Sequence, residues 1–163
     1  MTLKQKYGQL ALIAGASEGI GAAYAEYMAK AGMDLILVAR RKEPLEQLAK
    51  QLRTKYNINA DYICCDLAAV NAAQQLQQDL NGKEINLFVY NAALSYIGSF
   101  EENSFEHHNQ IAHANMITPM NLIQIFGTSM LIKGKGAIIL MASLAGFQGS
   151  GFLSAYAASK AFD

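Results

Sequence analysis

The sequence predicts an α/β fold: a doubly wound parallel sheet of strand order 3-2-1-4-5 with helices on both faces. Three observations lead there. Apolar runs of strand length recur at about 10–14, 34–39, 60–65, 85–90 and 136–142. Helical periodicity fills the intervals between them, and such alternation makes neighbouring strands parallel through right-handed crossovers. A glycine-rich turn, Gly15-Ala-Ser-Glu-Gly19-Ile-Gly21, follows the first run directly.

The first run, Leu10-Ala-Leu-Ile-Ala, comes after Lys4 and Lys6 and superficially mimics a secretory leader. Its passage into a glycine turn and a helix favours a strand. The helices that follow end on Gly or Asn near a lysine, at Lys30-Ala-Gly32, Lys55-Tyr-Asn57, Asn81-Gly82-Lys83 and Lys133-Gly134. Left-handed caps with cations at the negative dipole end suit these sites. Pro44 lies just inside the helix after the second strand, where its missing N–H costs nothing. One long helical run is expected from about Phe105 to Ile132, with Met and aromatic positions along 116–130 serving as core or as an oligomer face.

The chain has 163 residues, 52% of them hydrophobic, with 13 basic and 13 acidic side chains. That length predicts one unit, 1–163, with a substantial core. The balanced charge predicts no nucleic-acid partner, and no apolar run is long enough to span a bilayer. Cys64 and Cys65 are adjacent, so on a strand they face opposite ways; free thiols in a reducing cytoplasm are expected.

The chemistry-bearing residues cluster at the two ends of the chain. In the glycine turn, Gly15 permits the tight turn, Gly19 lets backbone approach a pyrophosphate and Gly21 permits close helix packing. The expected nucleotide contacts are Gly15, Ser17, Glu18, Gly19, Ile20 and Gly21 in a Rossmann-type cradle. After the second strand, where an acidic residue would accept from a ribose 2′-hydroxyl, stand Ala39 and Arg40. A 2′-phosphate suits Arg40, so NADP is expected over NAD; the alternative is a solvated basic helix entry. Tyr156 and Lys160 are four residues apart on one helix face, where an ammonium can lower a phenol's pKa and hold a ribose. A free phenol titrates near 10, so about 4 kcal/mol separates it from function at neutral pH, more than an exposed ion pair supplies. Pro119 lacks the N–H that would bond the Asn115 carbonyl, which frees that carbonyl for a water reaching Lys160; a packing kink is the alternative. His107, His108 and His113 lack same-face metal spacing and are expected to be solvated or capping, with no metal site.

Gly15-Ala-Ser-Glu-Gly-Ile-Gly21, Cys65-Asp66-Leu67, Asn91-Ala-Ala93, Asn115, Ser143 and Tyr156-x-x-x-Lys160 occur in the order and spacing of the short-chain dehydrogenase/reductase family, which the whole chain resembles. The resemblance implies an NADP-dependent interconversion of a ketone and a secondary alcohol, in the branch of 3-oxoacyl and hydroxysteroid reductases. Tyr156 is then the general acid/base, Lys160 its modulator and ribose ligand, Ser143 the partner of the substrate oxygen and Asn115 the support of a relay water. Asp66 and Leu67 belong near adenine, and Asn91 and Ala92 near the adenosine ribose. Tyr90-Asn-Ala-Ala93 departs from the usual Asn-Asn-Ala-Gly. Phe147, Phe152 and Leu153, with Leu94 and Tyr96, suggest an apolar substrate pocket. Family members continue beyond the Tyr-x-x-x-Lys helix with further strands and form homodimers or homotetramers. The chain is therefore expected to be part of a longer polypeptide or an inactive fragment, with run 136–142 as an exposed sheet edge. A nucleotide-binding or redox-sensing module without turnover is the alternative function.

Overall fold

The computed structural model describes residues Met1–Asp163. Its five strands are β1 (Leu10–Ala14), β2 (Asp34–Ala39), β3 (Ala60–Cys64), β4 (Leu87–Tyr90) and β5 (Ala137–Leu140). All pair in parallel in the order β3-β2-β1-β4-β5. The sequence-based fold class and strand order are thus both met. In the register, Ile13 sits between Leu37 and Val89.

Alternate strand residues feed two core layers of equal size, as a sheet covered on both faces requires. Sixteen buried residues on one side join Ile13, Leu35 and Val89 to Met28 and Leu45, from helices α2 (Gly19–Lys30) and α3 (Lys42–Tyr56). Sixteen on the other join Leu12, Ile36 and Phe88 to Leu76 of α4 (Ala72–Asp79) and to Leu122 and Phe126. Phe88 lies edge-on to Phe126 at 5.0 Å and 75°, a geometry worth about 0.5–1.5 kcal/mol beyond the area buried.

The expected glycine and asparagine stops are real: Gly32, Asn57, Asn81, Gly82 and Gly134 all have positive φ. Two features differ from expectation. A short helix α1 (Leu3–Tyr7) precedes β1, held by a capping box in which the Thr2 hydroxyl accepts the Gln5 N–H at 3.2 Å and Gln5 Oε1 accepts the Thr2 N–H at 2.9 Å. The run from Phe105 is not one helix. It comprises α5 (Phe105–Ala112), a π-turn at His113–Ile117 and α6 (Thr118–Lys133). The Thr118 N–H reaches the His113 carbonyl five residues back, because Pro119, second in α6, leaves the regular ladder without its donor. Along α6, Leu122, Phe126 and Met130 are buried, whereas Leu131 and Ile132 are exposed. No helix is long and apolar enough to cross a membrane.

Candidate active site

A groove of about 260 Å³ opens at the carboxyl ends of the strands, bounded by Ser17, Arg40, Asp66, Leu67, Asn91 and Ala92. The glycine turn forms its floor. Gly15 has φ +80°, and a Cβ there would lie 2.6 Å from the Ala92 nitrogen; a Cβ on Gly21 would lie 2.0 Å from the Gly15 carbonyl oxygen. Asn91 Nδ2 donates to that same oxygen at 3.2 Å, locking the turn to the end of β4. Gly19, by contrast, has φ +57° with nothing within 4 Å of its Cβ position. Glu18 caps α2 without a side-chain hydrogen bond, so the first-turn N–H groups keep their capacity to meet an anion. Ile20 is 57% exposed in that first turn.

The basic pair after β2 divides its work. Arg41 pairs with Glu18 at 2.8 Å, with both side chains more than half exposed, an interaction worth about 0–1 kcal/mol. Arg40 is exposed at the groove. At the end of β3, Cys64 is exposed and the next residue, Cys65, is buried, as alternation along an extended chain dictates. Burial, and then the charges of Asp79 and Asp66, push the Cys65 thiol up to about 11.

Ser143 follows β5 and caps a short 3₁₀ turn, Leu144–Phe147, its Oγ accepting the Ala145 N–H at 3.2 Å. That leaves the hydroxyl proton to donate elsewhere. Tyr156 and Lys160 lie on helix α7 (Ser154–Lys160). The 3₁₀ turn packs directly on the end of this helix, since a Cβ on Gly146 would come within 2.6 Å of the Lys160 carbonyl oxygen. The buried Lys160 ammonium donates to the Met141 carbonyl at 2.7 Å and to Asp163 Oδ2 at 2.5 Å. The 3₁₀ turn that Ser143 caps is thereby packed against the helix that carries Tyr156 and Lys160. Asp163, which the sequence reading passed over, supplies a carboxylate buried to 2% exposure beside that ammonium; its spacing of three residues from Lys160 was the available signal.

Asn115 sits in the π-turn, 1% exposed. Its side chain clamps the loop after β4, accepting the Leu94 N–H at 2.8 Å and donating to the Leu94 carbonyl at 2.9 Å. It also donates to Ser159 Oγ at 2.8 Å, and Ser159 donates to the Tyr156 carbonyl at 2.7 Å. Asn115 thus ties the groove wall to α7. Toward the open side, Phe147 is 87% and Phe152 63% exposed, while Leu94 and Leu153 are half-buried. The Phe152 carbonyl accepts the Gly98 N–H at 3.1 Å, joining the loop after β4 to the loop before α7. Tyr96 is held in place by its neighbours. Its hydroxyl donates to Gln110 at 2.5 Å and its ring stacks on His107 at 3.9 Å. The histidines are packed more than solvated: His108 stacks on Phe100 at 4.4 Å, the Nδ1 atoms of His107 and His113 are buried without partners, and His113 is the C-cap of α5.

With this geometry in hand, comparison with known proteins gives a consistent answer. A profile described as short chain dehydrogenase matches residues 9–162. The chain belongs to the short chain dehydrogenase family. Among its relatives in that family, a 7beta-hydroxysteroid dehydrogenase of Clostridium sardiniense is 34% identical over 162 residues, covering 99% of this chain and 62% of the relative. A solved structure from work on 7beta-hydroxysteroid dehydrogenase stereoselectivity superposes with a TM-score of 0.96 at 30% identity, over 99% of this chain and 64% of that one. A short-chain dehydrogenase from Sphingobium yanoikuyae in complex with NADPH gives 0.89 at 32% identity, over 94% of this chain and 60% of that one. The chain therefore spans about three-fifths of the length of these family members.

Proposed function

We propose that the protein is an NADP-dependent oxidoreductase that interconverts a ketone and a secondary alcohol. What supports this reading is that the turn capped by Ser143 packs on the helix that carries Tyr156 and Lys160, a helix that Asn115 ties to the wall of a groove with glycine-lined, anion-receptive amides. The fit to a dinucleotide rests on the open space over Gly19 and the uncapped first turn of α2, which suit a pyrophosphate. Arg40, rather than the Glu18-paired Arg41, suits a 2′-phosphate. Asp66 and Leu67 would border the adenine, and Asn91 and Ala92 the adenosine ribose. Bound there, the nicotinamide supplies or accepts the hydride.

The chain's own residues handle the proton. In the reducing direction the Tyr156 phenol donates its proton to the substrate oxygen, while the free Ser143 hydroxyl proton hydrogen-bonds that oxygen and orients it. The resulting phenolate is favoured by the Lys160 ammonium on the same helix face. Two of the three ammonium protons are held by Met141 and Asp163, which leaves one for a ribose hydroxyl. The Asn115 carbonyl, denied the Pro119 N–H, supports a water that reprotonates the site. The exposed phenyl rings of Phe147 and Phe152 favour an apolar ketone, in keeping with the hydroxysteroid names among the relatives. The two free thiols suit a reducing, cytoplasmic compartment.

A second reading, nucleotide binding without turnover, draws on the Asp163 carboxylate beside Lys160, which offsets the ammonium's field at Tyr156 in this arrangement. Tyr156→Phe separates the two. The proposal expects ketone reduction by NADPH to fall at least about 100-fold, the range of general acid catalysis, with NADPH affinity held within a few-fold. Reduction that persists unchanged in the variant overturns the proton-transfer role.

A further inference from the structure

Where the family usually has asparagine, this chain ends β4 in Tyr90, a phenol closed inside the sheet and 2% exposed. Its hydroxyl donates to the Ala114 carbonyl at 2.5 Å. The reason for that pairing lies in the π-turn. A regular helix would give the Ala114 carbonyl the N–H of Thr118, but that N–H is diverted to His113. The diversion leaves a carbonyl in the buried residue Ala114 without its ladder donor, a loss that a protein interior tolerates poorly. The Tyr90 hydroxyl fills the gap. Burial, followed by the charges of Cys65 and Asp163, holds the phenol well above its ordinary range, so it remains a donor.

We propose that Tyr90 is a positioning residue for the reaction, acting through Asn115. Its hydrogen bond fixes the π-turn in the one arrangement from which the next residue reaches Leu94 and Ser159 at once. Through Ser159 that arrangement extends to the carbonyl of Tyr156. Thr118, at the other end of the turn, donates to the Leu67 carbonyl at 2.9 Å, so the same turn also anchors the groove wall after β3. Losing the phenol hydroxyl lets the turn revert toward a regular helix, in which Thr118 bonds Ala114 and Asn115 is rotated away from its partners. The inference rests on the proposed reductase activity for its catalytic meaning, but its structural arm does not.

The test compares Tyr90→Phe with Phe88→Leu in the natural polypeptide, with NADPH as the probe. Phe88 is a core residue of the same strand whose ring lies edge-on to Tyr90 at 6.0 Å, so Phe88→Leu disturbs the packing around Tyr90 while leaving its hydroxyl in place. Tyr90→Phe is expected to speed hydrogen exchange at the Leu94 amide, the proton held by Asn115 Oδ1, at least about tenfold more than Phe88→Leu does. With saturating NADPH it is expected to lower kcat about tenfold or more, the scale of a small misplacement of catalytic groups, while the NADPH Kd stays within twofold. Leu94 exchange that matches Phe88→Leu overturns the inference, and so does faster exchange with kcat unchanged in an enzyme whose wild type is active. If the wild-type protein reduces no ketone, the activity proposal fails instead, and the exchange comparison alone decides whether Tyr90 holds the turn.

Discussion

Placing a methyl group at Gly21 tests the architecture of the nucleotide groove with a sign that helix propensity alone gets wrong. On propensity, Gly→Ala inside a helix gains about 1 kcal/mol. Here the added Cβ would sit 2.0 Å from the Gly15 carbonyl oxygen and 2.9 Å from Asn91 Nδ2, with the first contact against backbone of the turn itself. Overpacking of this kind costs about 1–3 kcal/mol or more. Displacing the turn also weakens the hydrogen bond from Asn91 to Gly15, worth about 1 kcal/mol. The penalties outweigh the gain, and Gly21→Ala should destabilise by about 2 kcal/mol. For a chain of this size that lowers Tm by about 4–8 °C. Gly127→Ala is the matched control: it too lies in a helix, but its Cβ would meet only Ile138 Cδ1 at 3.5 Å, an ordinary contact. It should leave Tm unchanged or raise it by a few degrees. Paired thermal and urea denaturation, with NADPH binding followed by nicotinamide fluorescence, measures both. Equal stabilities and equal NADPH affinities for the two variants would refute the close packing of α2 on the turn.

Cofactor choice gives a second expectation. NADPH should bind at least about tenfold more tightly than NADH, because one charge-assisted contact from Arg40 to phosphate contributes about 1.5–3 kcal/mol; replacing Ala39 by Asp together with Arg40 by Leu should reverse the preference, and equal titrations of the wild type would remove Arg40 from this role. The cysteines give a third. Because a thiol reacts as its thiolate, and burial raises Cys65 to about 11, iodoacetamide at pH 8 to 9 should label the exposed Cys64 and spare Cys65 until the pH nears that value. Peptide mapping that finds both labelled at one rate in the folded protein would show that Cys65 is not shielded.

How far the sequence reaches depends on whether a contact is written in neighbouring residues or in distant ones. β1 and β2 occupy the expected residues 10–14 and 34–39 because central parallel strands are apolar on both faces, leaving uninterrupted runs between polar or glycine stops. The fourth run was expected from 85, yet β4 begins at Leu87. Asn86 at that edge turns its side chain to accept the N–H groups of Gln9 and Leu10 at 3.0 Å each, a cross-strand role that no local pattern announces. Helix α1 escaped notice because its five residues are too few to show a period, although Leu3 and Tyr7 pack partly buried against the core; Thr2 and Gln5, three apart, marked its start. The glycine turn and the Tyr156–Lys160 pair are local spacings with a chemical rationale, whereas Ser143 entered only through the resemblance to a family. Pro119 announced an interruption but not its form, since a missing donor says which bond fails and not how the neighbouring N–H groups are reassigned. Tyr90 stood out only as a departure from the usual Asn-Asn-Ala-Gly, because the carbonyl it serves lies 24 positions away. The remaining signal was energetic. A phenol placed in the centre of a sheet must find an acceptor, and a proline inside a helix must disturb a carbonyl within a turn of it. Setting those two requirements side by side pairs Tyr90 with the segment around Asn115 on chemical grounds alone.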